Sequence, residues 1–294
     1  MQEFEKNSVG KIAVLGGDGR TSAMACRLRE LGSEVVTWGL GENERQTDDI
    51  NQVIVGARAV ILPMPAFTDE KYVFGTQAPL HLSQLLALCG ADITVYGGRI
   101  PTGVLQQAEK KGVRMTDYMA LEEVQLRNAI PSAEGAIALA MQALDITLDG
   151  ARAAVLGYGR IGRALAARLC ALGCEVSVAV RREIDLTRVR LDHYIPLTIP
   201  GGGLQEIARG YDVIFNTVPA RIISRQLLGA MTEQTLLIEL ASSPGGWSPE
   251  DAKACGRRVI YAPGLPAKYA PRTAGRLIAE SLIPYLGAKE VEMI

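Results

Sequence analysis

The segment AAVLGYGRIGRALAARL, residues 153 to 169, joins a short apolar strand to a glycine-rich turn and then to a helical pattern. The turn itself, Gly157-Tyr158-Gly159-Arg160-Ile161-Gly162, fits the pattern G-x-G-x-x-G. The first glycine permits the tight turn, the second lets the backbone approach a pyrophosphate, and the third lets the helix pack closely against the strand. The free N–H groups at the start of that helix favour an anion. We therefore predict that these six residues bind the pyrophosphate of a dinucleotide.

The end of the next strand indicates which dinucleotide binds. Enzymes that use NAD carry Asp or Glu there, to accept a hydrogen bond from the ribose 2′-OH. The strand predicted over 175–180 is instead followed by Arg181 and Arg182, and two guanidinium groups suit a 2′-phosphate. The sequence therefore predicts NADP; the alternative is that both arginines are only solvated and Glu183 recognises the ribose. Three residues after a later strand are expected along the ribose and nicotinamide: Thr217, Val218 and Pro219.

Strands alternate with helical stretches on both sides of this turn. The predicted strands are 11–15, 34–38, 59–62 and 93–96 before it, and 153–156, 175–180, 213–216, 236–239 and 259–261 from it onward. Such alternation favours parallel sheets with helices on both faces. A long helix over 131–144, with Pro131 in its first turn, is expected to join the two halves. A helix over 273–286 is expected to cross back onto the first half.

The predicted fold class is therefore α/β, with two doubly wound Rossmann-like domains joined by long helices and a ligand-binding cleft between them. The expected substrate domain comprises residues 1–130 plus 270–294. The expected NADP-binding domain comprises residues 131–269 and includes the connecting helix. A chain of 294 residues is long enough to give each domain its own core.

Composition and charge exclude several partners. Hydrophobic residues make up 48% of the chain, charged residues 21%, and the net charge is −1, which fits a globular protein with no nucleic-acid partner. No apolar run approaches the roughly 18 residues that a membrane span needs, and the N-terminus shows no signal-peptide pattern. A cytoplasmic location without membrane association is therefore expected. The five cysteines form no C-x-x-C pair and there are two histidines, so no metal site is predicted.

A second glycine-rich turn, Gly16-Gly17-Asp18-Gly19-Arg20, follows the first predicted strand. Ser22 occupies the place of the third glycine, so we interpret this turn as part of a substrate site and not as a second cofactor site. Arginines and a lysine near the carboxyl ends of the strands suit an anionic substrate, especially a dicarboxylate. The residues predicted to bind substrate are Arg20, Thr21, Arg99, Ser132, Ser242, Ser243, Lys268 and Arg272.

Six segments spread over nearly the whole chain carry a resemblance to one family. They are 16–20 (GGDGR), 130–135 (IPSAEG), 155–160 (VLGYGR), 240–246 (LASSPGG), 262–266 (APGLP) and 270–275 (APRTAG). Together they resemble the A subunit of dipicolinate synthase. The resemblance implies an NADP-dependent oxidation of 4-hydroxy-tetrahydrodipicolinate, or its dehydrated form, to pyridine-2,6-dicarboxylate. It also implies a flavoprotein-like partner, the B subunit of dipicolinate synthase, and the mother-cell cytoplasm of a sporulating bacterium.

A cyclic dicarboxylate substrate agrees with the predicted arginines. Loss of water, a hydride and a proton makes the ring aromatic, so the main task of the protein would be to orient a ring C–H towards the nicotinamide. Asp18 or Glu134 is the expected proton acceptor, and Ser243 is also predicted to take part in catalysis. A homodimer is expected.

Two other functions stay open at this point. One is a different two-domain dehydrogenase, either alanine-dehydrogenase-like or acting on a hydroxy acid. A 2-hydroxy acid dehydrogenase usually carries a catalytic histidine late in the chain, whereas this chain has none after His193. The other is an NADP-binding regulatory protein, which would bind the cofactor tightly without any turnover.

Overall fold

A computed structural model describes residues 10–41, 49–199, 202–208 and 210–286. The chain divides into two compact units, of which unit 1 falls within Met1–Asn128 and Ala270–Ile294 and unit 2 is Ala129–Tyr269. The sequence prediction put the corresponding boundaries at residues 130 and 270. Both ends of the predicted substrate domain, before Gly10 and after Leu286, lie outside the described residues.

The strands and helices alternate along the chain as an α/β fold requires. The strands are β1 (Ile12–Leu15), β2 (Val35–Trp38), β3 (Ala59–Ile61), β4 (Phe67–Thr68), β5 (Tyr72–Val73), β6 (Thr94–Gly97), β7 (Arg114–Asp117), β8 (Arg152–Leu156), β9 (Glu175–Val180), β10 (Ile195–Thr198), β11 (Val213–Asn216), β12 (Leu236–Glu239) and β13 (Arg258–Tyr261). The helices are α1 (Gly19–Glu30), α2 (Ile50–Ile54), α3 (Leu82–Leu88), α4 (Thr102–Lys110), α5 (Glu122–Ala143), α6 (Arg160–Ala171), α7 (Glu183–Leu191), α8 (Gly202–Ile207), α9 (Arg225–Ala230), α10 (Pro249–Ala254), α11 (Leu265–Tyr269) and α12 (Pro271–Leu286).

Unit 1 is built on a parallel sheet with the strand order β2-β1-β3-β6-β7. Every residue of β1 is buried, as expected for a central strand covered by helices on both faces. One face of the sheet packs on α1 and α12, where Leu277 and Leu282 share a core with Ile12 and Met24. Gly275 brings α12 close to α1, because an added Cβ there would lie 2.8 Å from the Cβ of Ala23. The C-terminal helix is therefore part of the core of unit 1.

Unit 2 is built on a second parallel sheet, with the order β10-β9-β8-β11-β12-β13. The central strand β8 is buried from Ala153 to Leu156, so its apolar run has the length and composition of a strand covered on both faces. Parallel pairing aligns the ends of neighbouring strands, with Leu156 opposite Ala179 and Asn216. The loops that follow β8, β9, β11 and β12 therefore meet at one edge of the sheet. The predicted α/β fold class is confirmed.

One sequence prediction needs correction, and several strands were not predicted. The connecting helix α5 begins at Glu122, and Pro131 lies inside it, not in its first turn. The outer strands β7 and β10 were not predicted, because β7 (RMTD) is largely polar and β10 (IPLT) contains a proline. Both are edge strands, where polar residues and proline are tolerated.

No helix in the described parts of the chain is long and apolar enough to cross a membrane.

Candidate functional site

The glycine turn of unit 2 connects β8 to α6. Gly157 has φ +96°, a conformation that disfavours any residue with a side chain. An added Cβ at Gly157 would lie 2.6 Å from Thr217 Oγ1, and one at Gly162 would collide with the carbonyl oxygen of Gly157. Thr217 is itself fixed, since its hydroxyl donates to the Leu156 carbonyl at 2.8 Å. The first and third glycines therefore hold strand, turn and helix in close contact.

The middle glycine of the turn is different, because the space beside it is open. Gly159 is exposed and is the N-cap of α6, and an added Cβ there meets no atom within 4 Å among the described residues. The amides of the first helical turn point into the same region and the helix dipole adds partial positive charge. This open position at a helix N-terminus fits a pyrophosphate. The residues that would hold it are the predicted Gly157, Gly159, Arg160, Ile161 and Gly162.

Tyr158 anchors the outside of the turn. Its hydroxyl donates to Asp192, its ring lies edge-on to Tyr194 with 6.2 Å between centroids, and the Arg163 guanidinium sits 5.1 Å above it. Burial and the hydrogen bond to Asp192 raise the pKa of Tyr158 above its ordinary value. The phenol is therefore neutral at pH 7, and these contacts give it a packing role beside the turn.

The two arginines after β9 have different surroundings. Arg182 is the N-cap of α7, and its Nε lies 2.6 Å from Asp185, which also receives Arg188 at 2.9 Å. The hydrogen bond from Arg182 is the main cause that lowers the pKa of Asp185. Arg181 is exposed and makes no ion pair within the described part of the chain. The predicted arginine pair is thus divided into one engaged side chain and one side chain directed to solvent.

The loops after β11 and β12 carry the other residues predicted in unit 2. Thr217 and Val218 are half-buried and Pro219 is exposed. Ser242 and Ser243 are exposed at the tip of the loop after β12, which is closed by a hydrogen bond from the Gly245 N–H to the Ser242 carbonyl at 3.0 Å. Sequence reasoning missed Glu239, a buried carboxylate at the end of β12. The signal that could have found it is an acidic residue that closes an otherwise apolar strand.

The glycine turn of unit 1 is closed by ion pairs and backbone contacts of its own. Asp18 caps α1 by accepting from the Arg20 N–H at 2.9 Å, and it also receives the Arg20 Nη2 at 2.7 Å. The same nitrogen donates to the Met64 carbonyl, and Arg20 is 8% exposed. Thr21 is 2% exposed and packs under Gly17. These contacts give Asp18, Arg20 and Thr21 structural roles in holding the turn.

Residues 74–76 lie on this turn and fill the space beside it. The Gly17 N–H donates to the Gly75 carbonyl at 3.2 Å. An added Cβ at Gly16 would lie 2.6 Å from the Phe74 carbonyl oxygen and 2.8 Å from Thr76 Cγ2. Residues 74–76 therefore occupy the space beside this turn, and Asp18 already accepts from the Arg20 N–H at the start of α1. This agrees with the interpretation that the turn is not a second cofactor site.

Arg99 follows β6 at the carboxyl edge of the unit 1 sheet. It has φ +52°, which is rare for a residue with a side chain. The carboxylate of Asp117 holds this conformation by accepting from the N–H groups of Arg99 at 2.9 Å, Ile100 at 3.1 Å and Met119 at 2.8 Å. The Arg99 side chain is exposed. A cation displayed on a strained and fixed backbone suits a ligand carboxylate.

The remaining predicted residues are Glu134, Ser132, Lys268 and Arg272, of which Arg272 follows Pro271, a neighbour of Gly19 at the unit 1 turn. Glu134 lies 3.2 Å from Arg168 Nε, and Arg168 belongs to the last third of α6, at the end away from the glycine turn. The structure therefore places Glu134 beside the C-terminal part of α6, and its role as proton acceptor stays a prediction. Ser132 is buried within α5. Lys268 in unit 2 and Arg272 in unit 1 are exposed.

The fold and the glycine turn define a two-domain dehydrogenase that uses a nicotinamide cofactor. Residues 128–244 match the NAD-binding domain of D-isomer specific 2-hydroxyacid dehydrogenases, and residues 11–119 match the N-terminal domain of the dipicolinate synthase A subunit. The chain is 31% identical to the dipicolinate synthase A subunit of Bacillus subtilis (strain 168), over 96% of this chain and 97% of the relative. The chain belongs to the family of dipicolinate synthase A subunits.

Two solved structures agree with this assignment. The crystal structure of the dipicolinate synthase A subunit from Bacillus halodurans superposes with a TM-score of 0.85 at 29% identity, covering 95% of this chain and 98% of that one. The A chain of dipicolinate synthase from Bacillus subtilis gives a TM-score of 0.84 at 30% identity, covering 95% and 97%. The resemblance that the sequence motifs indicated is confirmed.

Proposed function

We propose that this chain oxidises 4-hydroxy-tetrahydrodipicolinate, or its dehydrated form, to dipicolinate, with NADP as the electron acceptor. The observation that carries the proposal is the open glycine turn of unit 2 with the unpaired Arg181 at the end of the neighbouring strand, in a chain of this family. The turn suits a pyrophosphate, and the free guanidinium suits a 2′-phosphate.

The proposed reaction balances as one dehydration and one two-electron oxidation. The hydroxylated ring loses water, and the resulting dihydro ring then loses a hydride from carbon and one proton. When bound, NADP supplies the hydride acceptor. The proton passes to solvent, because both predicted acceptors are engaged, Asp18 with Arg20 and Glu134 with Arg168. Aromatic stabilisation of the product provides the driving force, so the chain needs chiefly to orient the ring.

The residues of each unit have separate tasks in this proposal. Gly159 and the start of α6 hold the pyrophosphate, and Arg181 holds the 2′-phosphate. Arg99 is the best-placed cation of unit 1 for a substrate carboxylate, because its side chain is exposed while its backbone is fixed by Asp117. Ser242, Ser243, Lys268 and Arg272 are exposed and accessible to an anionic ligand.

Partner and location belong to the same proposal. The relatives are named as the A subunit of a synthase, which supports a flavoprotein-like B subunit acting with this chain. A homodimer of the chain and a site in the mother-cell cytoplasm during sporulation complete the proposal. Pull-down of the tagged B subunit from a sporulating cell extract, with this chain identified by mass spectrometry, tests the partnership.

A coupled assay tests the reaction. The hydroxy-tetrahydrodipicolinate is generated from aspartate semialdehyde and pyruvate by its synthase, and this chain is added with and without the B subunit, with NADP or with NAD. Nicotinamide reduction and pyridine dicarboxylate formation are followed together. Equal rates of both, faster with NADP, are expected. Measurable NADP binding without product in any combination would overturn the synthase proposal in favour of a regulatory protein.

A further inference from the structure

Glu239 is a buried carboxylate without a cationic partner. It closes β12, is 6% exposed, and forms no ion pair with any Lys or Arg in the ranges that the structure describes. Its charge is instead met by three N–H donors: Asn216 Nδ2 at 2.7 Å and the Ala241 amide at 3.0 Å on Oε1, and the Gly246 amide at 2.8 Å on Oε2. A buried carboxylate persists only when such donors satisfy it. These three bonds tie Glu239 to the end of β11 and to the loop after β12.

The two backbone bonds fasten both ends of one loop. Ala241 and Gly246 flank Ser242-Ser243-Pro244-Gly245, so one carboxylate fixes where this tip begins and where it ends. The loop packs closely on the carboxylate, because an added Cβ at Gly245 would lie 2.8 Å from Glu239 Oε2. The exposed Ser243 is thus displayed on a short tip that is held from beneath.

The third bond, from Asn216, connects Glu239 to the loop that follows β11, residues 217–219, which we call the Val218 loop. Asn216 stands opposite Glu239 in the β11–β12 register. Its amide donates to the Val218 carbonyl at 2.9 Å, and its Oδ1 accepts from the Val218 N–H at 3.1 Å. Thr217, between them, lies against the first glycine of the cofactor turn. A continuous series of contacts therefore runs from the Ser243 tip to the glycine turn.

We propose that Glu239 is a positioning residue that sets the Ser243 tip and the Val218 loop relative to the glycine turn. This inference rests on the proposed function in one respect, namely that the edge of the sheet receives the nicotinamide half of NADP. Glu239 itself touches neither cofactor nor substrate in this role. It acts by keeping Ser243 and Val218 within the small tolerance that hydride transfer requires.

The variant Glu239→Gln tests the proposal with little change in shape. Glutamine offers one acceptor oxygen in place of two, and its NH₂ group must face a backbone or amide donor. Glu233→Gln is the matched control, because it makes the same chemical change at an exposed position before β12. Circular dichroism and the thermal midpoint verify folding.

The readouts separate the two halves of the cofactor. Affinity for adenosine 2′,5′-bisphosphate is expected to stay within twofold of wild type, because that fragment reaches only the glycine turn and Arg181. The enhancement of NADPH emission on binding, which reports the nicotinamide ring, is expected to fall by at least half. The kcat of the coupled assay is expected to fall about 100-fold. NADPH emission and kcat both within twofold of wild type would overturn the inference.

Amide exchange in the wild-type chain provides a test that needs neither folding of the variant nor turnover. The Ala241 and Gly246 amides are expected to exchange at least 100-fold more slowly than the exposed Ser242 and Ser243 amides. Equal exchange rates for these two pairs of amides would show that Glu239 does not hold the two ends of the loop, and would overturn the inference. A wild-type chain that binds NADPH but does not turn over would remove the proposed function alone, since exchange and NADPH emission still decide the role of Glu239.

Discussion

The two glycine turns of this chain have nearly the same sequence pattern and opposite surroundings. In unit 2, Gly159 borders open space at the start of α6. In the sequence pattern of unit 1 the corresponding glycine is Gly19, although the N-cap of α1 is Asp18. This turn is occupied by the chain itself: Arg20 is buried against Asp18 and the Met64 carbonyl, and the Gly17 N–H is bonded to the Gly75 carbonyl. Arg160, which takes the place of Arg20 in the sequence pattern, is exposed.

The comparison shows what converts a turn of this type into a binding site. Glycines give the backbone its path in both units, but an anion can bind only where the start of the helix is left open by the protein's own side chains. Unit 1 places the Asp18 carboxylate on the Arg20 N–H at the start of α1, whereas Gly159 brings no side chain to the start of α6. Unit 1 also has a serine, Ser22, where the third glycine would be. The same turn is then a structural joint between β1 and α1.

The largest expected effect comes from adding one methyl group to each turn. Gly159→Ala should weaken NADP binding at least 100-fold, because the new Cβ enters the space proposed for the pyrophosphate. The thermal midpoint should not change, since that Cβ meets no described atom within 4 Å. Gly19→Ala is the matched control and should bind NADP normally. Calorimetric titration measures both, and equal affinities would remove the distinction between the turns.

The second prediction compares the two turns by their contribution to the free energy of unfolding and not by cofactor binding. Arg20→Ala should lower the free energy of unfolding by about 2 kcal/mol, because it removes the guanidinium that donates to both the Asp18 carboxylate and the Met64 carbonyl. Arg160→Ala, at the exposed counterpart, should cost less than about 0.5 kcal/mol.

Denaturation followed by tryptophan fluorescence measures each change in the unit that carries it. Trp38 belongs to unit 1 and Trp247 to unit 2, so Arg20→Ala is followed through Trp38 in a Trp247→Phe background and Arg160→Ala through Trp247 in a Trp38→Phe background. A destabilisation by Arg160→Ala equal to that by Arg20→Ala would contradict the structural role assigned to Arg20.

A third prediction concerns the cofactor phosphate. Arg181→Ala should weaken NADP binding about 10- to 30-fold and leave NAD binding unchanged, because it removes one charge-assisted contact to the 2′-phosphate. Arg182→Ala should have a smaller effect, since its guanidinium is engaged with Asp185. Dissociation constants for both cofactors decide the matter. Equal losses for NAD and NADP in Arg181→Ala would show that this residue does not read the phosphate.

The smallest expected effect compares how α1 and α6 are fastened. α1 is tied to α12 and α5 through Glu280, which receives Arg27 at 2.8 Å and also Arg127. Burial alone would raise the pKa of Glu280, but the hydrogen bonds from both arginines outweigh it and lower the pKa below its usual 4.5. A lowered carboxyl pKa stabilises the fold above the unfolded pKa, and the contribution disappears as the pH falls through the folded value.

Glu280→Gln should therefore cost about 1 kcal/mol at pH 7 and progressively less as the pH falls below about 4.5. Glu109→Gln, on the exposed face of α4, is the control and should show no such dependence. Urea denaturation at pH 7, 5 and 3.5 measures the difference. A cost that is independent of pH would mean that packing, and not charge, accounts for the contribution of Glu280.

The central strand and glycine turn of unit 2 could be predicted from the sequence, whereas the edge strands and the exact start of the connecting helix could not. β8 and its glycine turn were predictable because an apolar run and three glycines have few alternative structures. β7 and β10 were not, because edge strands need neither apolar runs nor strict alternation. Pro131 suggested a helix start, yet the preceding residues from Glu122 are helical as well.

Side-chain partners explain the remaining gaps at the candidate site. The pairing of Arg182 with Asp185 could have been anticipated, since residues three apart on a helix face are neighbours. The burial of Arg20 against Met64 could not, because these residues are distant in sequence and meet only through the sheet. The donors of Glu239 could not be anticipated either, since they come from the end of β11 and from the loop after β12.

The origin of unit 1 from both ends of the chain has a consequence for its biosynthesis. The first residues of its core, Ile12 and Met24, leave the ribosome early, but Leu277 and Leu282 of the same core come from α12. Unit 2 is contiguous from Ala129 to Tyr269 and is fully synthesised before α12 begins. The cofactor unit can therefore complete its fold first, while the unit that starts the chain waits for the last helix to cover its exposed apolar face.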